Sequence, residues 1–136
     1  MLSLSTQELV KKTSDEDLET RLLAIKHLGM RYDPKSVEPL LKLLEDKHLK
    51  IREKAIHSLG AIGDSEKIVK PILKMLDDQI MQVRLAAIKV LGELGTPKAT
   101  KKLIMKLNTR NKRERKYIVV ALGQIQDKNA LFPLID

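Results

Sequence analysis

Cysteine and tryptophan are missing from this chain of 136 residues, whose aromatic side chains are two tyrosines and one phenylalanine. Without cysteine there is no disulfide and no thiolate metal site, which suits a cytoplasmic setting. Tyr32, Tyr117 and Phe132 give bases or a flat cofactor little to stack on. No uncharged apolar run approaches the roughly 18 residues that a membrane span requires. The opening MLSLSTQELVKK has no basic segment followed by an apolar stretch, so no secretion signal is expected. A glycine-rich phosphate loop and a His-Glu-x-x-His zinc motif are also absent. What remains, 43% hydrophobic with 32% charged residues, describes a chain that folds in water.

The charge is uneven. Residues 1–64 hold 11 Lys/Arg and 11 Asp/Glu, so the remaining 15 and 7 carry the whole net charge of +8. Most of it falls in 97–116, where Lys98, Lys101, Lys102, Lys106, Arg110, Lys112, Arg113, Arg115 and Lys116 face a lone Glu114.

The chain is organised by repetition. IKHLGMRYD at 25–33, IHSLGAIGD at 56–64, IKVLGELGT at 88–96 and VVALGQIQD at 119–127 are versions of one phrase. Their glycines, Gly29, Gly60, Gly92 and Gly123, step by 31, 32 and 31 residues. A fixed period of this size marks a stack of helix pairs in which each unit covers its neighbour's apolar face.

Ser5-Thr6-Gln7-Glu8 reads as a capping box opening a short cap helix over 5–13. Ser14 or Asp15 is expected to cap a longer helix carrying Leu18, Leu22, Ile25 and Leu28. Asp33-Pro34 then starts a first helix with Val37, Leu40 and Leu44, and a second helix runs from about Lys47 to Ile62. Gly63 and Gly95 suit left-handed helix ends, and Asp64 and Thr96-Pro97 open the helices that follow. Asp127 is expected to begin one more first-type helix over 128–136, either a cap or the start of a further unit. The four inner glycines each cost a helix about 1 kcal/mol relative to alanine, so close approach of the following helix should offset that cost.

An arginine stands four residues before the Ile/Val of each phrase: Arg21, Arg52, Arg84 and Arg115. Six residues earlier stand Asp15, Asp46, Asp78 and Thr109. This pattern resembles the Asp–Arg ladder of HEAT repeats. With the Leu-Gly-x-x-Gly-Asp ending and a period near 31 residues, the chain is similar to the short HEAT-like repeats named after phycobiliprotein (PBS) lyases. The resemblance spans roughly residues 15–136. It implies an all-α fold, a right-handed α-α superhelix of about four helix-pair repeats forming a single domain over 1–136. In such a ladder each arginine bridges acids of its own and the neighbouring unit. The fourth unit departs from the pattern: Thr109 replaces the acid, Lys112 and Glu114 replace apolar residues, and Gln126 replaces a glycine. It reads as a unit that has drifted towards charge.

Neither the residues nor the resemblance gives a catalytic centre. None of His27, His48 and His57 is followed by Glu, unlike the His-Glu dyads of HEAT-type di-iron hydroxylases. Ser58 has no paired base, and its repeat equivalents are His27, Val90 and Ala121, which describes a helix flank. Bilin attachment, suggested by the family's name, finds too few aromatics. No enzyme activity, metal or cofactor is expected.

In a HEAT stack the second helices line the concave face, and by register their outward positions are Lys50, Lys54, His57, Gln82, Ala86, Lys89, Arg113, Lys116, Tyr117 and Val120. The expected function is a scaffold that binds another protein along this row. The alternative is nucleic-acid binding through Lys98, Lys101, Lys102, Lys106, Arg110, Lys112, Arg113 and Lys116. A third reading pairs the apolar side of the last helix, with Leu131, Phe132, Leu134 and Ile135, against a second copy end to end.

Overall fold

Ser5 accepts from the Glu8 amide at 3.1 Å while the Glu8 carboxylate accepts from the Ser5 amide at 2.9 Å, and this closed box starts the first helix. The computed structural model describes Met1 and residues 3–130. Among them the helices are α1 (Thr6–Lys12), α2 (Leu18–Arg31), α3 (Val37–Leu43), α4 (Leu49–Ile62), α5 (Ser65–Met75), α6 (Met81–Leu94), α7 (Thr100–Met105) and α8 (Lys112–Lys128). No strand occurs among the described residues. The fold is the expected all-α stack of helix pairs: α1 with α2, α3 with α4, α5 with α6, α7 with α8. The second helices α2, α4, α6 and α8 pack consecutively side by side, and the first helices form the other layer.

The core lies between these layers. Ile25, Leu28, Leu40, Ile56, Leu59, Ile72, Leu91 and Leu103 are fully buried, and they recur at the helical spacing read from the sequence. Gly63 and Gly95 close α4 and α6 with φ of 78° and 67°, a conformation that glycine takes without strain.

Several element ends differ from expectation. Asp17, not Ser14 or Asp15, caps α2, its carboxylate accepting from the Thr20 amide at 3.0 Å. His48 caps α4 through Nδ1, which accepts from the Lys50 amide at 3.1 Å, so that helix begins at Leu49. Pro34 and Pro97 each begin a 3-10 turn before the α-helix proper. Asp64 occupies the cap position of α5 but makes no side-chain capping bond. Asp127 does not open a new helix, because α8 continues to Lys128. Gln126 stays helical at the register where Tyr32, Gly63 and Gly95 take the left-handed stop. The end of α8 is held instead by Asn129, whose side-chain amide donates to the carbonyls of Gly95 at 2.8 Å and Ile125 at 2.7 Å. Of the expected helix over 128–136, residue 128 belongs to α8. Leu131, Phe132, Leu134 and Ile135 lie outside the described residues.

Candidate functional site

The ladder sets the register of the second helices. Arg21 pairs with Asp46 at 2.6 Å, Arg52 grips both oxygens of Asp78 at 2.9 and 3.1 Å, and Arg84 grips both oxygens of Glu114 at 3.0 and 3.3 Å. Each of these three arginines thus reaches forward to an acid of the next unit, and it holds its own turn through backbone carbonyls. Arg52 donates to Asp46 O at 2.9 Å and Arg84 to Asp78 O at 2.9 Å. This corrects the expectation that each arginine also bridges an acid of its own unit. Asp15 accepts only from the Asp17 amide at 2.8 Å, and Arg115 donates to Thr109 O at 2.7 Å; neither has an ion-pair partner among the described residues. Burial works against the Asp46 carboxylate, but the hydrogen bond from Arg21 and the His48 amide outweigh it and hold its pKa below the usual range.

The fourth unit keeps its ladder despite its departures at Thr109, Lys112 and Gln126. Glu114 is 5% exposed and replaces the acid lost at Thr109, from one turn inside α8. Asn111 caps the helix there, accepting from the Glu114 amide at 2.9 Å.

The inner glycines let the second helices approach. A Cβ on Gly29 would stand 2.6 Å from Ser58 Oγ, one on Gly60 2.8 Å from a methyl of Val90, and one on Gly92 2.8 Å from the Ala121 Cα. Gly123 differs: no described atom would lie within 4 Å of its Cβ. Ser58 is buried on this seam and donates to Ile25 O at 2.8 Å, so its hydroxyl is engaged.

On the solvent side the second helices carry three hollows in series. The first, about 220 Å3, lies between α2 and α4 and is lined by Met30 and Ala61 with Lys26, Lys54 and His57. The middle hollow, about 160 Å3, joins Glu53 and His57 of α4 to Lys89 of α6 and Arg113 and Tyr117 of α8. The last, about 310 Å3, lies between α6 and α8 and is lined by Lys89, Lys116, Tyr117, Val120 and Gln124. Arg113 stacks its guanidinium 5.9 Å from the Tyr117 ring centre. Burial lowers the pKa of His57, with Lys89 and Lys54 adding to this and Glu53 and Glu93 opposing it, so the ring is neutral at pH 7.

The residues expected on this face are therefore brought together, with one correction. Lys50, Lys54, Gln82, Lys89, Arg113 and Lys116 are exposed, and His57 and Tyr117 are half-buried. Ala86 does not point into solvent: it is 4% exposed, a floor beneath His57, Lys89 and Tyr117, because those longer side chains rise around it. Sequence reasoning missed Lys26 and Met30 of α2, one repeat before His57 and Ala61, and it missed the two acids Glu53 and Glu93. Subtracting one period from His57 would have found Lys26, whereas Met30 is the repeat equivalent of Ala61, which was not among the expected positions.

The basic segment divides between layers. Lys102 donates to Asp77 at 2.8 Å and to Leu73 O at 2.9 Å, and Lys106 also pairs with Asp77, whose pKa these two hydrogen bonds lower. Lys98 and Lys101 are exposed near α7, Arg110 stands in the following turn, and Lys112, Arg113 and Lys116 belong to α8. Lys102 and Lys106 are thus internal partners between α5 and α7.

Comparison with known proteins gives a family match to HEAT repeats over residues 6–79 and again over 69–136. No curated protein matches the chain. Among solved structures, the complex of CpcE and CpcF of phycocyanin lyase from Nostoc sp. is similar with a TM-score of 0.79 and 23% identity, over 94% of this chain and 56% of that one. Human deoxyhypusine hydroxylase in complex with glycerol is similar with a TM-score of 0.79 and 17% identity, over 94% of this chain and 46% of that one. An engineered protein follows with a TM-score of 0.65 and 23% identity, over 88% of this chain and 62% of that one. The chain thus spans roughly half to three fifths of the length of each, and at these identities the likeness is one of fold.

Proposed function

The chain belongs to the HEAT-repeat family, and from that premise we propose that it is a non-catalytic cytoplasmic scaffold that binds another protein along its second helices. The observation that carries this reading is the row of hollows across α2, α4, α6 and α8, neighbours sharing His57 or Lys89 and Tyr117 in their lining, with Ala61, Ala86 and Val120 among exposed polar side chains. Stacked repeats offer an extended surface of this kind to partners. A similar fold found in a complex of two different chains, CpcE with CpcF, supports a protein as the partner.

The polar side chains that could do chemistry are occupied or isolated. His48 caps α4, Ser58 bonds Ile25 O, and His57 shares its hollow with cations and a single carboxylate, Glu53. Of the nucleic-acid set, Lys102 and Lys106 share the one Asp77 carboxylate, which leaves that cluster a single unbalanced positive charge. The end-to-end dimer reading rests on residues outside the described part of the chain.

Photo-crosslinking tests the scaffold reading. A reactive residue in place of exposed Gln82 should trap a protein partner that the purified chain then binds in solution. The same probe at Lys67, on the first-helix side, should not. A partner trapped equally from Lys67 and retained by a Lys89→Glu/Lys116→Glu variant would overturn the reading.

A further inference from the structure

The scaffold reading leaves the chemistry of the partner open, and the three hollows constrain it. The two outer hollows have apolar residues in their lining: Met30, 55% exposed, with Ala61 at one end, and Val120, 56% exposed, with Tyr117 at the other. Between them the path crosses His57, Lys54, Lys89 and Arg113, with Glu53 beside them. Lys26 and Lys116 add a cation at each end. Of the two acids near the path, Glu53 is 3.8 Å from Lys50, which leaves Glu93 at the far side of the last hollow. The centre is therefore cationic and the ends are apolar.

The spacing follows from helix packing. Neighbouring helices stand about 8–10 Å apart, so hollows two helix steps apart are separated by about 16–20 Å. An extended chain advances about 3.3 Å per residue and covers that distance in about five or six residues.

We propose that this face binds an acidic, extended peptide segment of a partner protein, with two apolar side chains about six positions apart seated in the Met30 and Val120 hollows and carboxylates between them over Lys54, Lys89 and Arg113. The inference rests on the scaffold reading. Duplex nucleic acid fits the face less well: phosphates would meet the cations, but nothing on a regular backbone fills two apolar hollows.

The test is fluorescence anisotropy with the full chain and a labelled peptide carrying two leucines six positions apart, the five positions between them mostly Glu. Binding should weaken at least tenfold when the glutamates become glutamines, and again when the leucines become serines. It should weaken similarly in the exposed-residue variants Lys89→Glu and Val120→Asp. Equal affinity for the Glu and Gln peptides, or binding indifferent to both variants, overturns the proposal. So does tighter binding of duplex DNA that depends on the same two positions. Selection from an unbiased displayed peptide library separates the two readings. Enrichment of acidic sequences with the six-position spacing supports the proposal. Enrichment of neutral or basic peptides that Lys89→Glu abolishes leaves the scaffold standing and removes the acidic partner. A library yielding no peptide, together with crosslinks that ignore the second-helix face, removes both.

Discussion

Arg84 holds both oxygens of Glu114, at 3.0 and 3.3 Å, in the place where Arg52 holds Asp78. The acid of the fourth unit has moved from the inter-helix turn to the first turn of α8, and the arginine has not moved. A long carboxylate starting inside the helix and a short one starting in the turn deliver their oxygens to the same guanidinium.

The first prediction follows from that exchange. Glu114→Val restores the residue found at Val83 but leaves Arg84 without an acid, with its Nη1 still bonded to the carbonyls of Asp78 and Gln79. Arg84 is partly exposed, so the loss should be about 1–3 kcal/mol in a urea titration. Adding Thr109→Asp should recover most of it, since position 109 is the repeat equivalent of Asp46 and Asp78. A double variant no more stable than Glu114→Val would show that the acid acts only from the helix.

The second prediction concerns Ser36. Its side-chain oxygen is fully buried and has no hydrogen-bond partner among the described residues, whereas the equivalent position of the fourth unit is Ala99, equally buried. A buried hydroxyl without a partner is a net cost, so Ser36→Ala should raise stability by about 1 kcal/mol, read as a higher melting temperature. A lower one would mean the hydroxyl is engaged.

Most of this stack was legible in the sequence because its determinants are local and repeated. The Leu-Gly pairs, the arginines and the helix-ending glycines recur at one period, and each has one physical reason to be where it is. The misreadings fell where a function passed to another residue. Glu114 took over from Thr109, and Asn129 took over the helix end from a missing glycine. Register alone assigns a role to a position and cannot see a side chain three or five residues away fill it. Ala86 was misplaced for a related reason: its position faces outward, but a short side chain among His57, Lys89 and Tyr117 ends up beneath them. The candidate face was legible as a row of positions. Its division into apolar ends and a cationic centre needed the packing of α2 against α4 and of α6 against α8.

The third prediction uses the glycines as probes of helix approach. Gly29→Ala would drive a methyl into the Ser58 side chain and Cα, at 2.6–2.9 Å, and should destabilise by about 1–3 kcal/mol despite alanine's better helix propensity. Gly123→Ala meets no described atom within 4 Å and should stabilise by about 1 kcal/mol. Thermal melts of the two variants should therefore move in opposite directions. A destabilising Gly123→Ala would show that something packs on the outer side of α8.

The last prediction is a pH dependence centred on His57. The ring faces Glu53 and Lys54 on its own helix, Lys89 and Glu93 on α6, Arg113 and Tyr117 on α8, and Lys26 on the α2 side. Burial, with Lys89 and Lys54, holds its pKa below the unfolded value of 6.5. At pH values near and below that figure the unfolded chain binds the proton more readily than the folded one, so this residue's contribution to stability is present above it and is lost as the pH falls. The wild-type melting temperature should therefore drop between pH 7.5 and 5.5 by more than that of a His57→Gln variant. An acidic segment seated over the ring would reverse the sign. Carboxylates favour the protonated imidazole, so the acidic peptide should bind more tightly at pH 6 than at pH 7.5, and the gain should vanish in His57→Gln. Tighter binding at low pH that persists in the variant would assign the effect to a group other than His57.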